Sequence, residues 1–270
     1  MSRSASRSER SHGGVHEVAA RGFGDAAAAY EQGRPTYPAA ATAWLTEHLA
    51  IAPGARVLDL GAGTGKLTRS LVPTGCDVVA VEPLAGMRAV LATELPSVPA
   101  VGATAEALPV RTAALDAVVV AQAFHWFDTA ASLDELARTI RSGGGVALLW
   151  NAWDDRRPWV ERIHRLVADA GSTPQWQQGH WSRAWAAEAL AAHEHFGPVT
   201  PVQFVNAQTL TREGVVDRVA TTSHIVSASP EVRDGVLAAV RDVLAADPET
   251  SDGETVELPY VTEVYASMRA

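Results

Sequence analysis

Between Arg56 and Trp150 the apolar positions arrive in short unbroken runs, separated by stretches where they recur at helical spacing. Val57-Leu58-Asp59-Leu60, Asp77-Val78-Val79-Ala80-Val81, Leu115 to Ala121 (LDAVVVA) and Val146 to Trp150 (VALLW) are such runs. Segments this apolar suit strands covered on both faces, as in a parallel sheet. A short third strand ends near Val101. Between the runs, Lys66-Leu67-Thr68 opens one helical pattern, Met87 lies at the start of another, and Leu133, Leu136 and Ile140 stripe the next. Strands alternating with helices imply right-handed crossovers and a doubly wound, mostly parallel α/β sheet.

The flanks follow other patterns. From Phe23 to Pro38 an alanine run favours helix, and Gly33, Pro35 and Pro38 stop it. Trp44, Leu45, His48 and Leu49 predict an amphipathic helix ending before Pro53-Gly54. Beyond the fifth strand, residues 153–197 are rich in Trp and His. Trp159, Ile163 and Leu166 recur at helical spacing, as do Trp185, Ala189 and Leu190, so this stretch is expected to be a helical cap insertion. Val199 to Val205 then predicts a sixth strand, followed by a helix from Thr211 to Thr222. Leu237, Val240 and Leu244 mark a further helix, and Thr255 to Tyr265 the last strand. Pro259 in its middle demands an edge position or a bulge, because proline has no N–H for the ladder.

Composition narrows the class. At 270 residues, 47% hydrophobic and 20% charged, the chain suits one large domain with an insertion. We expect that domain to span 21–270, with an N-terminal lid over 21–53. Met1 to Ala20 (MSRSASRSERSHGGVHEVAA) is too polar to form a core and is expected to be a disordered tail. A net charge of −9 argues against nucleic acid as a partner. No apolar run approaches the roughly 20 residues that span a bilayer, so no membrane role is expected. Cys76 is the only cysteine, which excludes an intrachain disulfide and fits a reducing, cytoplasmic setting. No metal is expected: His193 and His195 would stand about 200° apart on a helix, and the histidines of 153–197 show no metal-ligand spacing. Monomer and homodimer both stay open.

The candidate chemistry centres on Arg56 to Leu67, RVLDLGAGTGKL. Glycines on alternate positions after a strand let the backbone turn sharply and bring its N–H groups against a ligand. A Walker loop fails here, because Leu60 stands at its first glycine and Leu67 at its Ser/Thr. A dinucleotide fingerprint starting at Gly61 fails at Lys66. What remains is acidic-x-G-x-G-x-G, Asp59-Leu60-Gly61-Ala62-Gly63-Thr64-Gly65. It resembles motif I of the class I S-adenosylmethionine (SAM) methyltransferases. Glu82-Pro83, about twenty residues past the first glycine at the end of the second strand, suits a carboxylate that accepts both ribose hydroxyls. The Tyr30…Arg34-Pro35-x-Tyr37-Pro38 set and the LPYVTEVY close are similar to the trans-aconitate-methyltransferase-type subgroup of the methyltransferase-11-like enzymes.

That resemblance implies a Rossmann-like seven-stranded sheet binding SAM and releasing S-adenosyl-L-homocysteine (SAH). It places Arg34 near the cofactor's carboxylate, Met87 over the adenine, and Ala105 and Glu106, in the GATAEALP segment, beside the adenine edge. Gln122, Ala123 and Trp126, at the carboxyl end of the fourth strand, are further cofactor-binding candidates, and Phe124, His125, Trp126 and Phe127 there would wall the transferred methyl. His125 is the candidate general base, needed only if the acceptor is a hydroxyl. The expected activity is methyl transfer to a small molecule at oxygen. An NAD-dependent oxidoreductase and a non-catalytic SAM-binding protein are the other readings the residues leave open.

Overall fold

The computed structural model describes residues 33–170 and 183–270. The expected tail, the expected lid before Gly33 with Tyr30, and Trp176, His180 and Trp181 lie outside the described residues. Among the described residues seven strands form one sheet, in the order β3-β2-β1-β4-β5-β7-β6. They are β1 (Arg56–Leu60), β2 (Asp77–Val81), β3 (Ala100–Val101), β4 (Leu115–Ala121), β5 (Ile140–Trp153), β6 (Thr200–Thr211) and β7 (Thr255–Met268). β1 to β5 pair in parallel, and β7 runs antiparallel between β5 and β6.

Helices cover both faces because both faces are apolar. On one side Val57, Val119, Ala147 and Leu149 meet Leu45 of α1 (Ala39–His48), Leu67 and Leu71 of α2 (Lys66–Leu71) and Leu91 of α3 (Ala85–Glu94). On the other, Leu58, Leu60, Val118, Val120 and Leu148 meet Leu133 and Leu136 of α4 (Thr129–Thr139) and Leu190 of α6 (Arg183–Ala192). The alternation of strand residues between the two groups follows the period-2 geometry of a pleated strand.

A third apolar cluster was not foreseen. α5 (Pro158–Ala170), α7 (Arg212–Ala220), α8 (Ser223–Ser227) and α9 (Pro230–Ala246) pack Trp159, Ile163, Val216, Val219, Ile225 and Leu244 against Val256, Leu258 and Tyr260 of β7. The stretch 153–197, expected as one cap, therefore divides. α5 joins this third cluster, whereas Ala186 and Leu190 of α6 pack on the sheet. Helical spacing locates an apolar stripe but says nothing of which surface it covers.

β5 to β7 also run longer than their most apolar residues suggested, β5 from 140 rather than 146 and β6 to 211 rather than 205. The end of β5 at Trp153, the end of β6 at Leu210 and the start of β7 from Val256 to Tyr260 support the third cluster, whereas Ile140 at the start of β5 lies in the main core. Pro259 corrects the edge expectation: β7 is interior, and Pro259 pairs in register with Ala207 of β6. Its carbonyl accepts from Asp154 N at 3.1 Å, one residue past the last β5–β7 pair, Trp153↔Tyr260. The missing N–H thus faces a strand that has already ended.

Candidate functional site

The chain leaves β1 toward β2 and β3 on one side and returns to β4 and β5 on the other, so the carboxyl ends of β1 and β4 diverge. Open parallel sheets leave a crevice at such a point. Here it is a cleft of about 260 Å³ that joins the glycine loop, the end of β2, the turn after β4 and the overhanging Arg34 and Arg218.

The loop has a defined geometry. Gly61, Gly63 and Gly65 have φ of 70°, 58° and 88°, the left-handed region that glycine enters without penalty. Gly61 N and Ala62 N donate to Val81 O at 2.8 and 3.0 Å, which ties the turn to β2. A Cβ on Gly61 would stand 2.4 Å from that of Ala123, so the loop meets the turn after β4 directly. A Cβ on Gly63 would meet nothing within 4 Å, because this residue faces the open cleft.

Two buried acids flank the loop. Asp59 is 1% exposed; it accepts from Thr68 Oγ1 at 2.5 Å, while its Oδ1 has no partner among the described residues. Burial, the largest influence, raises its pKa to about 6, against the opposing Thr68 hydrogen bonds. Glu82 is 7% exposed and accepts from Gly63 N at 3.0 Å and Leu84 N at 2.9 Å. Its pKa is also raised by burial, with those backbone N–H groups pulling the other way. Each Glu82 oxygen has one lone pair engaged, so each retains one for a hydroxyl donor.

Asp59 carries a stability prediction. Its folded pKa lies above the unfolded value, so between about pH 4 and 6 the folded state holds a proton the unfolded chain has lost. Its contribution to stability is present below that window and declines as pH rises through it. Asp59→Asn keeps an acceptor for Thr68 and is expected to gain up to about 3 kcal/mol at pH 8. Urea titrations at pH 4 and pH 8 measure this, and equal gains at both pH values would contradict it.

The opposite wall follows β4. Gln122 adopts φ of 56°, rare for a residue with a Cβ, while its N donates to Leu149 O and its Nε2 to Asn151 O at 3.0 Å. This turn seats the one-turn helix Phe124–Trp126, burying Phe124 and directing His125, Trp126 and Phe127 to the cleft. Burial first, then the positive charge of Arg34, lowers the His125 pKa to about 4. The imidazole is therefore neutral at physiological pH, and its ring lies 4.9 Å from that of Trp126. Arg34 Nη2 donates to Thr221 O at 3.0 Å, pinning the segment before α1 to the end of α7.

The cleft brings together most of the residues expected from the sequence: Arg34, Asp59, Gly61, Ala62, Gly63, Thr64, Glu82, Pro83, Met87, Gln122, Ala123, His125 and Trp126. Gly65, Ala105 and Glu106 stand outside its lining. Gly65 packs against Leu91 and Leu95, where a Cβ would approach to 3.0 Å. Ala105 is buried in the main core, and Glu106 accepts from Asp128 N at 2.9 Å, at the start of α4. Asn151 and Arg218, which carried no signal in the sequence, also line the cleft. Among the described residues no group of His, Cys, Asp and Glu could hold a metal ion, and no helix is long and apolar enough to cross a membrane.

The profile of a methyltransferase domain family matches residues 58–148, from β1 to β5. An uncharacterized methyltransferase of Mycobacterium tuberculosis is 40% identical over 240 residues, 89% of this chain and 92% of that protein. An uncharacterized methyltransferase-like protein of Schizosaccharomyces pombe is 30% identical over 88% of this chain and 91% of its own length. Among solved structures, one from Anaeromyxobacter dehalogenans, provisionally named a type II methyltransferase, superposes with a TM-score of 0.65. It shares 23% identity and covers 87% of this chain and 97% of its own, a likeness of fold.

Proposed function

The chain belongs to the class I SAM-dependent methyltransferases, and from that premise we propose that it methylates a small molecule at oxygen, with an ionised carboxylate as the acceptor. The observation that carries this reading is the charge layout of the cleft. Asp59 and Glu82 stand at the loop and β2 side, while Arg34 and Arg218 overhang the other, with a neutral His125 in the wall.

The residues present fit SAM. Glu82 retains lone pairs for two ribose hydroxyls, the orphaned Asp59 Oδ1 suits a cationic group nearby, and Gly63 leaves room for close approach. Arg34 would offer its planar donors to the cofactor's carboxylate. When bound, SAM supplies a methyl group already activated by the sulfonium charge. The chain's own task is then alignment and exclusion of water, for which the Gln122 turn and the His125–Trp126–Phe127 wall are built.

A hydroxyl acceptor needs a base, and an imidazole whose conjugate acid has a pKa of about 4 is a weak one. A protonated amine would meet the Arg218 guanidinium, a group of its own sign, since Arg34 is committed to the cofactor. A carboxylate needs no base and is attracted by Arg218. His125→Ala is accordingly expected to lower turnover less than about tenfold, with no change in the pH profile from 6 to 8. A loss of roughly 10²–10⁴-fold, the usual contribution of a general base, would point to a hydroxyl instead. The assay is SAH release, run against a panel of carboxylic, phenolic and amine acceptors. The second reading, a SAM-binding protein without turnover, predicts SAH affinity but no release with any of them.

A further inference from the structure

Arg218 is not used in the reading above except as a positive charge, yet its surroundings are specific. It lies on α7, is only 4% exposed and lines the cleft. Its Nε donates to Tyr260 Oη at 3.1 Å, and its guanidinium carbon sits 5.6 Å from the Trp153 ring centroid. These two contacts orient the side chain without neutralising it. Among the described residues no carboxylate forms an ion pair with it, and its Nη1 is buried without a hydrogen-bond partner. The adjacent Trp153 Nε1 is likewise buried and unpartnered. Both nitrogens can only donate. A buried cation without a counter-charge is costly, as is each unmade hydrogen bond. Two neighbouring orphan donors call for one kind of ligand, an acceptor-rich anion.

The location separates this anion from the cofactor groups. Glu82 follows β2, whereas Trp153 ends β5, three strands away across β1 and β4. At about 4.8 Å per strand that is roughly 14 Å along the cleft. Trp153 also stands four residues beyond Leu149, the partner of the last β4 residue, Ala121. It therefore rises above the sheet edge into the third apolar cluster, where Tyr260 also packs.

We propose that Arg218, fixed by Tyr260 and Trp153, is the specificity residue for the acceptor, binding a carboxylate that is not itself methylated. An oxygen clasped by a guanidinium loses nucleophilicity, so the anchored group and the reacting oxygen are different atoms. The acceptor then spans the cleft from the cap, anchored at one end and methylated at the other. This rests on the methyltransferase reading of the cleft, and the experiment keeps the two apart.

Full-length protein saturated with SAH is titrated calorimetrically with succinate, benzoate, inorganic phosphate and uncharged benzamide, for wild type, R218Q, R218K and R34Q. The expected result is binding of the two carboxylates but not benzamide, at least tenfold weaker in R218Q and several-fold weaker in R218K, with SAH affinity unchanged in both. Should R218Q fail to fold, R218K keeps the charge and removes only the planar fork, so the comparison still decides. Carboxylate binding unaffected by either Arg218 variant, binding that depends on Arg34 instead, or a response to phosphate alone would overturn the assignment. Failure of SAH to bind the wild type would strike the cofactor reading; intact SAH binding with no carboxylate response strikes this inference alone.

Discussion

Glu82→Ala is expected to weaken SAH binding by about 100-fold or more, the largest loss any single substitution in the cleft should cause. The carboxylate sits at the end of β2 with one lone pair on each oxygen committed to Gly63 N and Leu84 N. Two further hydrogen bonds from a ribose diol to a charged acceptor contribute on the order of 3 kcal/mol together. Removing the side chain deletes those bonds and also releases the Gly63 N–H, so the loop keeps only its Gly61 and Ala62 ties to Val81. Glu82→Gln separates the two effects: it keeps one acceptor oxygen and the side-chain volume, and should fall between alanine and wild type. Calorimetry with SAH, alongside melting curves to verify folding, makes the measurement. An alanine variant that folds and binds SAH as tightly as wild type would remove Glu82 from the cofactor site.

Gly61→Ala and Gly63→Ala should differ although both glycines have positive φ. At Gly61 the new methyl would lie 2.4 Å from Ala123 Cβ, with Gly61 held by its N–H to Val81 O and the Ala123 turn held by Gln122 N to Leu149 O. Steric overlap added to left-handed backbone strain predicts a loss on the order of 3 kcal/mol or more in unfolding free energy. At Gly63 there is space, so only the backbone term of roughly 1 kcal/mol applies to the empty protein. The methyl would instead stand where the ligand approaches, and SAH affinity should drop while stability hardly changes. Denaturant unfolding and SAH titration of both variants test this crossed pattern, and equal stability losses would refute it.

How much of this site was legible beforehand varies from residue to residue. Asp59, Gly61, Gly63 and Glu82 were visible because a tight strand-to-helix turn and a strand-end acid are local features, set by neighbours in the chain. Glu106 was visible too, but the resemblance that pointed to it could not show its carboxylate turned to Asp128 N. Gln122 illustrates the limit. Its position after β4 was expected, but its left-handed φ depends on bonds to Leu149 and Asn151, almost thirty residues away. Arg218 had no signal at all. In sequence it is one arginine on an amphipathic helix, and only the packing of α7 against β7 buries it beside Tyr260 and Trp153.

By itself the sequence determined the alternation of strands and helices from Arg56 to Trp150, the parallel sheet that follows from it, and the glycine turn at its first crossover. Those depend on hydrophobic period and on which residues tolerate a sharp bend, both short-range properties. The tertiary structure alone decided that β5 to β7 carry a third core, that α6 covers the sheet while α5 joins that third core, and that Arg34 and Arg218 reach the same cleft. Each of these is a contact between segments far apart in the chain. Its free energy depends on which surfaces meet, and a one-dimensional pattern of apolar positions does not specify that.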